Sequence, residues 1–153
     1  MSKSLSPSRA DDSSQSPLEL ALRALRHRER SAAEVDRYLT ARGVDQEERD
    51  EVLETLVRTA LVDDRRFAEL RAAALVERGA GNELIRHKLA RAGIESQLAE
   101  ETVAALPSET ERVARIVALR GAGPKTARYL AGKGFSEEAI GSVVAYSGGE
   151  PLG

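Results

Sequence analysis

Apolar residues recur at helical spacing between Leu18 and about Tyr146, and they do so in three rounds. In the first, Leu18, Ala21, Leu22 and Leu25 make one stripe, Val35 and Leu39 a second, and Val52, Leu53, Leu56, Val57 and Ala60 a third. The pattern restarts after Asp63 and Asp64 with Phe67, Ala68, Leu75 and Val76, then Ile85 and Leu89, then Leu98, Val103 and Leu106. A last round holds Val113, Ile116 and Val117, then Ala127 and Leu130, then Ile140, Val143 and Val144. Each round predicts three helices of roughly a dozen residues, about 18 Å long. Helices that short do not persist alone in water, so the three of each round must pack on one another.

Polar and special residues punctuate the rounds at matching places. Leu39, Gly43 and Val44 are repeated by Leu89, Gly93 and Ile94 and again by Leu130, Gly134 and Phe135, at offsets of 50 and 41 residues. Each glycine suits the left-handed position that ends a helix, with the next residue folding back as its apolar contact. Asp45, Glu95 and Ser136 then offer starts for the following helix. Ser31 with Glu34 forms a capping-box pattern, Asp63 and Asp64 can cap the helix bearing Phe67, and Pro107 is a stop. A period of this size marks a helical repeat array. The expected fold is all-α: an elongated tandem array of three three-helix, helix-turn-helix-like repeats at residues 18–61, 62–107 and 108–146. Residues 1–17, rich in serine and with little to bury, are expected to be a disordered tail, and the glycine- and proline-containing residues 147–153 a flexible end.

Composition supports helix, because aromatic residues are only 3% of the 153 while alanine and leucine abound. With no cysteine there is no disulfide, thiolate metal site or cysteine nucleophile, which favours a reducing, cytoplasmic home. No secretory leader and no apolar run of about 20 residues is present, so no membrane role is expected.

The net charge of −2 conceals an alternation. Residues 18–42 carry six basic and four acidic side chains, and residues 45–64 two and eight. Residues 65–91 carry seven and three, residues 95–111 none and five, residues 112–134 six and none, and residues 135–153 none and three. In every repeat the first two helices hold the positive charge and the third the negative. Two arrangements fit. Stacked repeats could merge their positive faces into a stripe for a polyanion or an acidic protein groove, or the basic and acidic helices could pair as solvated surfaces.

Candidate chemistry is sparse. Asp63 and Asp64 lack further oxygen ligands at loop spacing, and His27 and His87 stand isolated among arginines, so no metal site is expected. Gly79, Gly81, Gly121 and Gly123 lack the preceding strand of a phosphate loop, and Lys125-Thr126 after Pro124 does not complete one, so no cofactor is expected. No nucleophile-base pair points to catalysis. Tyr38 and Tyr129 fall at matching positions beside the closing leucines, where half-buried packing competes with base stacking.

The ordered segments Arg28-Glu29-Arg30-Ser31-Ala32-Ala33-Glu34 with Val35, Leu39 and Gly43, then Leu61-Val62-Asp63-Asp64-Arg65-Arg66-Phe67-Ala68, then Gly81, Ile85, Leu89, Gly93 and Ile94, resemble the RecX family, small regulators of the RecA recombinase. The resemblance spans Leu18 to about Leu106 and extends more loosely through Gly134-Phe135 and Ile140. The chain departs from it after Phe67-Ala68, where Glu69, Leu70 and Arg71 precede three alanines, and at the glycine-rich joint Gly121-Ala122-Gly123-Pro124. The resemblance implies a non-enzymatic monomer that lodges in the groove of the RecA filament on single-stranded DNA. There it would limit strand exchange, ATP hydrolysis and coprotease activity, and so act in DNA repair, recombination and the SOS response.

Contacts to the filament, and weak contacts to single-stranded DNA without sequence preference, are expected from Arg28, Arg30, Arg37, Arg78, Arg86, Lys88, Arg91, Lys125, Arg128 and Lys133. Glu100 and Glu101, on an acidic third helix, should matter less. The alternative is a helix-turn-helix transcriptional repressor. That reading would want a dimer and a recognition helix bearing Asn, Gln and Arg, whereas the candidate helices offer mostly Arg, Lys and Ala.

Overall fold

The structure is a computed structural model and describes residues 15 to 147. The tail expected before residue 15 and the end expected after residue 147 lie outside the described residues. Among those described, every regular element is an α-helix: α1 Pro17–Leu25, α2 Ala32–Ala41, α3 Gln46–Arg58, α4 Asp64–Glu77, α5 Asn82–Arg91, α6 Ser96–Ala104, α7 Glu109–Arg120, α8 Pro124–Gly132 and α9 Glu137–Ser147. The first helix begins earlier than its apolar stripe suggests. Ser16 is its N-cap, with a complete capping box to Glu19, and Pro17 fills its first turn, where no N–H is required. Ser16 and Pro17 therefore belong to the fold.

Side-chain caps set several of the other starts. Ser31 and Glu34 form a capping box on α2, Asp45 accepts from the Glu48 N–H on α3, and Ser108 accepts from the Glu111 N–H on α7. The three closing turns share one geometry. Gly43, Gly93 and Gly134 have φ of 81°, 82° and 93°. The N–H of the residue after each reaches back to the closing leucine's carbonyl: Val44 to Leu39 at 3.1 Å, Ile94 to Leu89 at 3.0 Å and Phe135 to Leu130 at 3.2 Å. Each glycine N–H meets the next carbonyl along, completing the paired bonds that close a helix on a left-handed residue.

Each repeat has its own core. Ala21, Val35, Leu39, Val44, Val52, Leu56 and Val62 form the first. The second is built on Phe67, Ala72, Leu75, Ile85, Leu89, Ile94 and Val103, and the third on Val113, Val117, Leu130, Phe135, Ala139 and Ile140. Parts of the expected stripes face outward instead. In α1 the buried residues are Ala21 and Ala24, while Leu18 and Leu22 are exposed, and in α3 Val57 is exposed. A stripe read from spacing fixes a helix's apolar side only to within a residue or two, and packing against the neighbouring helices decides the final rotation.

The chain divides into two compact units, one ending at Asp64 and the other beginning at Arg65. The first holds repeat one. The second holds repeats two and three, joined through the start of α5, where the Gly81 N–H donates to the Lys133 carbonyl at 2.8 Å and the Glu83 N–H to the Gly134 carbonyl at 3.1 Å. Between them the Asn82 N–H donates to Glu109 Oε2 at 2.7 Å, and Glu109 Oε1 accepts from the Ser136 N–H at 3.1 Å. The first unit has the same device in simpler form. Asp64, expected with Asp63 to cap the helix bearing Phe67, accepts from the Ala32 N–H at the start of α2, at 2.8 Å. The acid that opens the next segment thus caps the middle helix of the repeat before it. In the third repeat that helix starts with Pro124, which has no N–H to satisfy.

Candidate functional site

Several of the basic side chains are engaged within the fold. In the first unit, Arg28 Nη1 donates to the Glu29 carbonyl at 2.8 Å and to Glu34 Oε1 at 3.1 Å, which binds it to the α2 capping box. Arg30 Nε donates to the Ala24 carbonyl at 2.6 Å, and Arg49 pairs with Asp36 at 2.8 Å. Arg37 is exposed on α2.

In the second unit, Arg86 on α5 pairs with Glu100 on α6 at 2.8 Å and more loosely with Glu83 at 3.4 Å. Arg65 pairs with Glu101 at 3.0 Å. Hydrogen bonds from Arg65 and then from Gln97 hold the Glu101 carboxyl below the usual carboxylate range. The alternation of charge is thus spent partly on pairing within a repeat. Glu100 is the direct partner of Arg86, so Glu100 and Glu101 are not bystanders to the basic surface. Such exposed pairs contribute little to stability, typically under about 1 kcal/mol.

One basic residue leaves the surface altogether. Arg112, part of the uniformly basic run of the third repeat, is buried. Its Nη2 donates to the Ala80 carbonyl at 2.7 Å, and its Nη1 to Asn82 Oδ1 at 2.8 Å and to the Pro107 carbonyl at 3.2 Å. The guanidinium lies 5.4 Å from the centroid of Phe135. Burial pushes its pKa below the ordinary guanidinium value while the charge of Glu109 opposes that shift. Arg112 ties the second repeat to the third, and nothing in its sequence position distinguishes it from exposed Arg115.

Arg78, Arg91, Lys125 and Arg128 are exposed, and Lys88 and Lys133 are half-buried. The fold sets one of these beside the neighbouring repeat. A β-carbon on Gly79 would stand 3.6 Å from the Tyr129 hydroxyl and 3.8 Å from Lys133 Cε, so the turn after α4 in the second repeat adjoins Lys133 of the third. Sequence reasoning missed the cations beside the tyrosines. The Arg42 guanidinium lies 3.6 Å from the Tyr38 ring centroid and the Arg120 guanidinium 3.6 Å from that of Tyr129. Arg42, four residues after Tyr38, could have been found from helical spacing; Arg120, on the preceding helix, could not.

His27 and His87 are exposed, and among the described residues no cluster of three or more His, Cys, Asp or Glu side chains could hold a metal. No helix of the described residues is long and apolar enough to cross a membrane. Three-helix units with separate cores and a surface of alternating basic and acidic helices define a helical-repeat protein. Residues 18–56 match the family model of the first three-helix domain of RecX, and residues 63–103 that of the second. The chain is 30% identical over 150 residues to the regulatory protein RecX of Halorhodospira halophila, covering 90% of this chain and 92% of that protein. It is 30% identical over 142 residues to the regulatory protein RecX of Stenotrophomonas maltophilia strain K279a, covering 86% and 87%. The chain belongs to the RecX family, whose members are regulatory proteins. The fold agrees with the crystal structure of RecX from Lactobacillus salivarius, at a TM-score of 0.74 and 21% identity over 90% of this chain and 97% of that one. A second crystal structure, of a regulatory protein RecX, superposes at a TM-score of 0.70 with 19% identity, over 92% and 78%.

Proposed function

We propose that this protein binds the RecA filament on single-stranded DNA and lowers its ATPase, strand-exchange and coprotease activities, acting as a cytoplasmic monomer in the regulation of DNA repair, recombination and the SOS response. The observation that carries the reading is membership of the RecX family through two successive three-helix domains. The protein does no chemistry of its own. Its contacts come from the basic surface: Arg37, Arg78, Lys88, Arg91, Lys125, Arg128 and Lys133, with Arg28, Arg30 and Arg86 held in place by their internal partners. Contacts to DNA alone are weak and indifferent to sequence, because they rest on phosphate charge.

The test is co-sedimentation and ATP hydrolysis with RecA. The protein is expected to pellet with filaments on single-stranded DNA, to leave free RecA in solution, and to slow filament ATP hydrolysis. Without RecA, neutralising about four phosphates predicts a salt slope of roughly −3 on single strands, a loss on the order of 50-fold between 50 and 200 mM salt. No binding to the filament would overturn the reading, and sequence-selective duplex binding would favour the repressor.

A further inference from the structure

Two tyrosines at equivalent places carry cations by different routes. Tyr38 precedes the closing leucine of α2 and Tyr129 that of α8. Arg42, the C-cap of the same helix, covers Tyr38, whereas Tyr129 is covered by Arg120 from the end of the preceding helix, both at 3.6 Å. A second cation attends each ring, Arg30 at 5.8 Å and Lys133 at 6.0 Å. In both clusters one cation stands four residues after the tyrosine and the other eight or nine before it, and the two clusters differ in which of the pair lies closer. The middle repeat has Lys88 where the tyrosine would stand and buried Ala92 where Arg42 would.

The electrostatics of these clusters are incomplete. Arg28, Arg49, Arg65 and Arg86 each meet a carboxylate. Among the described residues, Arg23, Arg42, Arg120 and Lys133 meet none; Arg23 donates to the Gln15 amide oxygen at 3.1 Å and Arg42 only to the Tyr38 carbonyl at 3.4 Å. Like charges gathered on one ring repel unless an anion joins them. A guanidinium held over a ring through its Cζ still carries the N–H fork that grips phosphate oxygens in pairs. Beside Tyr38 is a cleft of about 330 Å³ lined by Leu20, Arg23, Tyr38 and Arg42.

We propose that the Tyr38 cleft is a one-nucleotide subsite for single-stranded nucleic acid, and that Tyr129 with Arg120 and Lys133 forms its counterpart in the third repeat. Phosphates sit on the guanidinium edges, and a base extends the tyrosine-arginine stack. A nucleic-acid strand fits better than a run of acidic residues because each of its anionic units carries a flat ring for the stack. The inference rests on the proposed action at single-stranded DNA but assigns residues to it.

The experiment is fluorescence anisotropy of labelled oligothymidylate with the whole protein, without RecA, across 50 to 200 mM salt. R42Q and R120Q are each expected to weaken binding about 8-fold at 50 mM and to flatten the salt slope by about 0.7, the effect of one lost phosphate contact on a single strand. R58Q removes an exposed charge from the first unit and is expected to leave the slope unchanged. Circular dichroism keeps folding separate, and both arginines are exposed, so the variants should fold. Unchanged slopes in R42Q and R120Q, an equal loss in R58Q, or competition by poly-glutamate as strong as by unlabelled oligonucleotide would overturn the assignment. RecA ATPase assays separate the two readings. If the wild type inhibits filaments but its oligonucleotide binding ignores these arginines, the subsites fall and the function stands. If the arginines govern oligonucleotide binding but filaments are unaffected, the function falls and the subsites stand.

Discussion

Gly43 and Gly134 close their helices with the same left-handed backbone and the same pair of hydrogen bonds, but their surroundings differ. A β-carbon on Gly43 would meet nothing within 4 Å, whereas one on Gly134 would lie 2.6 Å from the Leu84 backbone nitrogen and 2.8 Å from its β-carbon. The first turn ends a helix. The last also presses its backbone against the start of α5 in the neighbouring repeat, with Gly81 on the other side of the contact, 2.4 Å from Gly134 C if it carried a β-carbon. A turn of the same leucine-to-glycine spacing thus has a local purpose in one repeat and joins two repeats in another. The independence expected of repeat units does not extend to the second and third.

The largest effect should come from breaking that difference directly. Gly43→Ala costs only the left-handed strain, about 1 kcal/mol. Gly134→Ala adds a clash and disturbs the two carbonyls that cap α5, for a loss of about 3 kcal/mol or more. Thermal melting measures both. Hydrogen exchange should show faster exchange of the Gly81 and Glu83 amides in the second variant, and equal melting points would remove the contrast.

The tertiary caps give the next contrast. Glu109→Ala leaves the Asn82 and Ser136 N–H groups without their carboxylate, an expected loss of about 2 kcal/mol, against about 1 kcal/mol for Asp64→Ala, which releases only the Ala32 N–H. Urea midpoints of the two variants would test the order.

Ala60 sharpens the comparison from the other direction, since it is the only non-glycine with positive φ among the described residues, at 63° after α3. Ala60→Gly should relieve strain and raise stability by up to about 1 kcal/mol. A lower melting point would show that the strain reading is wrong.

The smallest effect concerns the surface pairs. Arg86→Glu alone and Glu100→Arg alone should each cost under about 1 kcal/mol, and the double swap should recover most of it. Additive losses in that cycle would mean the pair contributes nothing.

Much of the architecture was legible in the chain because its causes are local. Ser31 and Glu34 announce a helix start by the bonds they can make within four residues. A glycine four residues after a leucine announces a helix end because only glycine takes a left-handed backbone without strain. Three recurrences of that turn implied a repeat array, and the ordered motifs up to Leu106 carried the family resemblance. The candidate site was legible only as charge. Spacing indicated which helices were basic, but not that Arg86 would turn to Glu100 or that Arg112 would leave the surface.

What the sequence by itself determined is the set of helices, their closing turns and, to within a residue or two, their apolar sides, since each depends on residues within one or two turns. The tertiary structure alone decided that Asp64 caps α2, that Glu109 satisfies two helix starts at once, that Gly81 and Gly134 touch, and that Arg120 rather than a near neighbour covers Tyr129. Those contacts join residues 9 to 53 positions apart. Their partners are chosen by how the helices pack, and no local pattern in the chain records that choice.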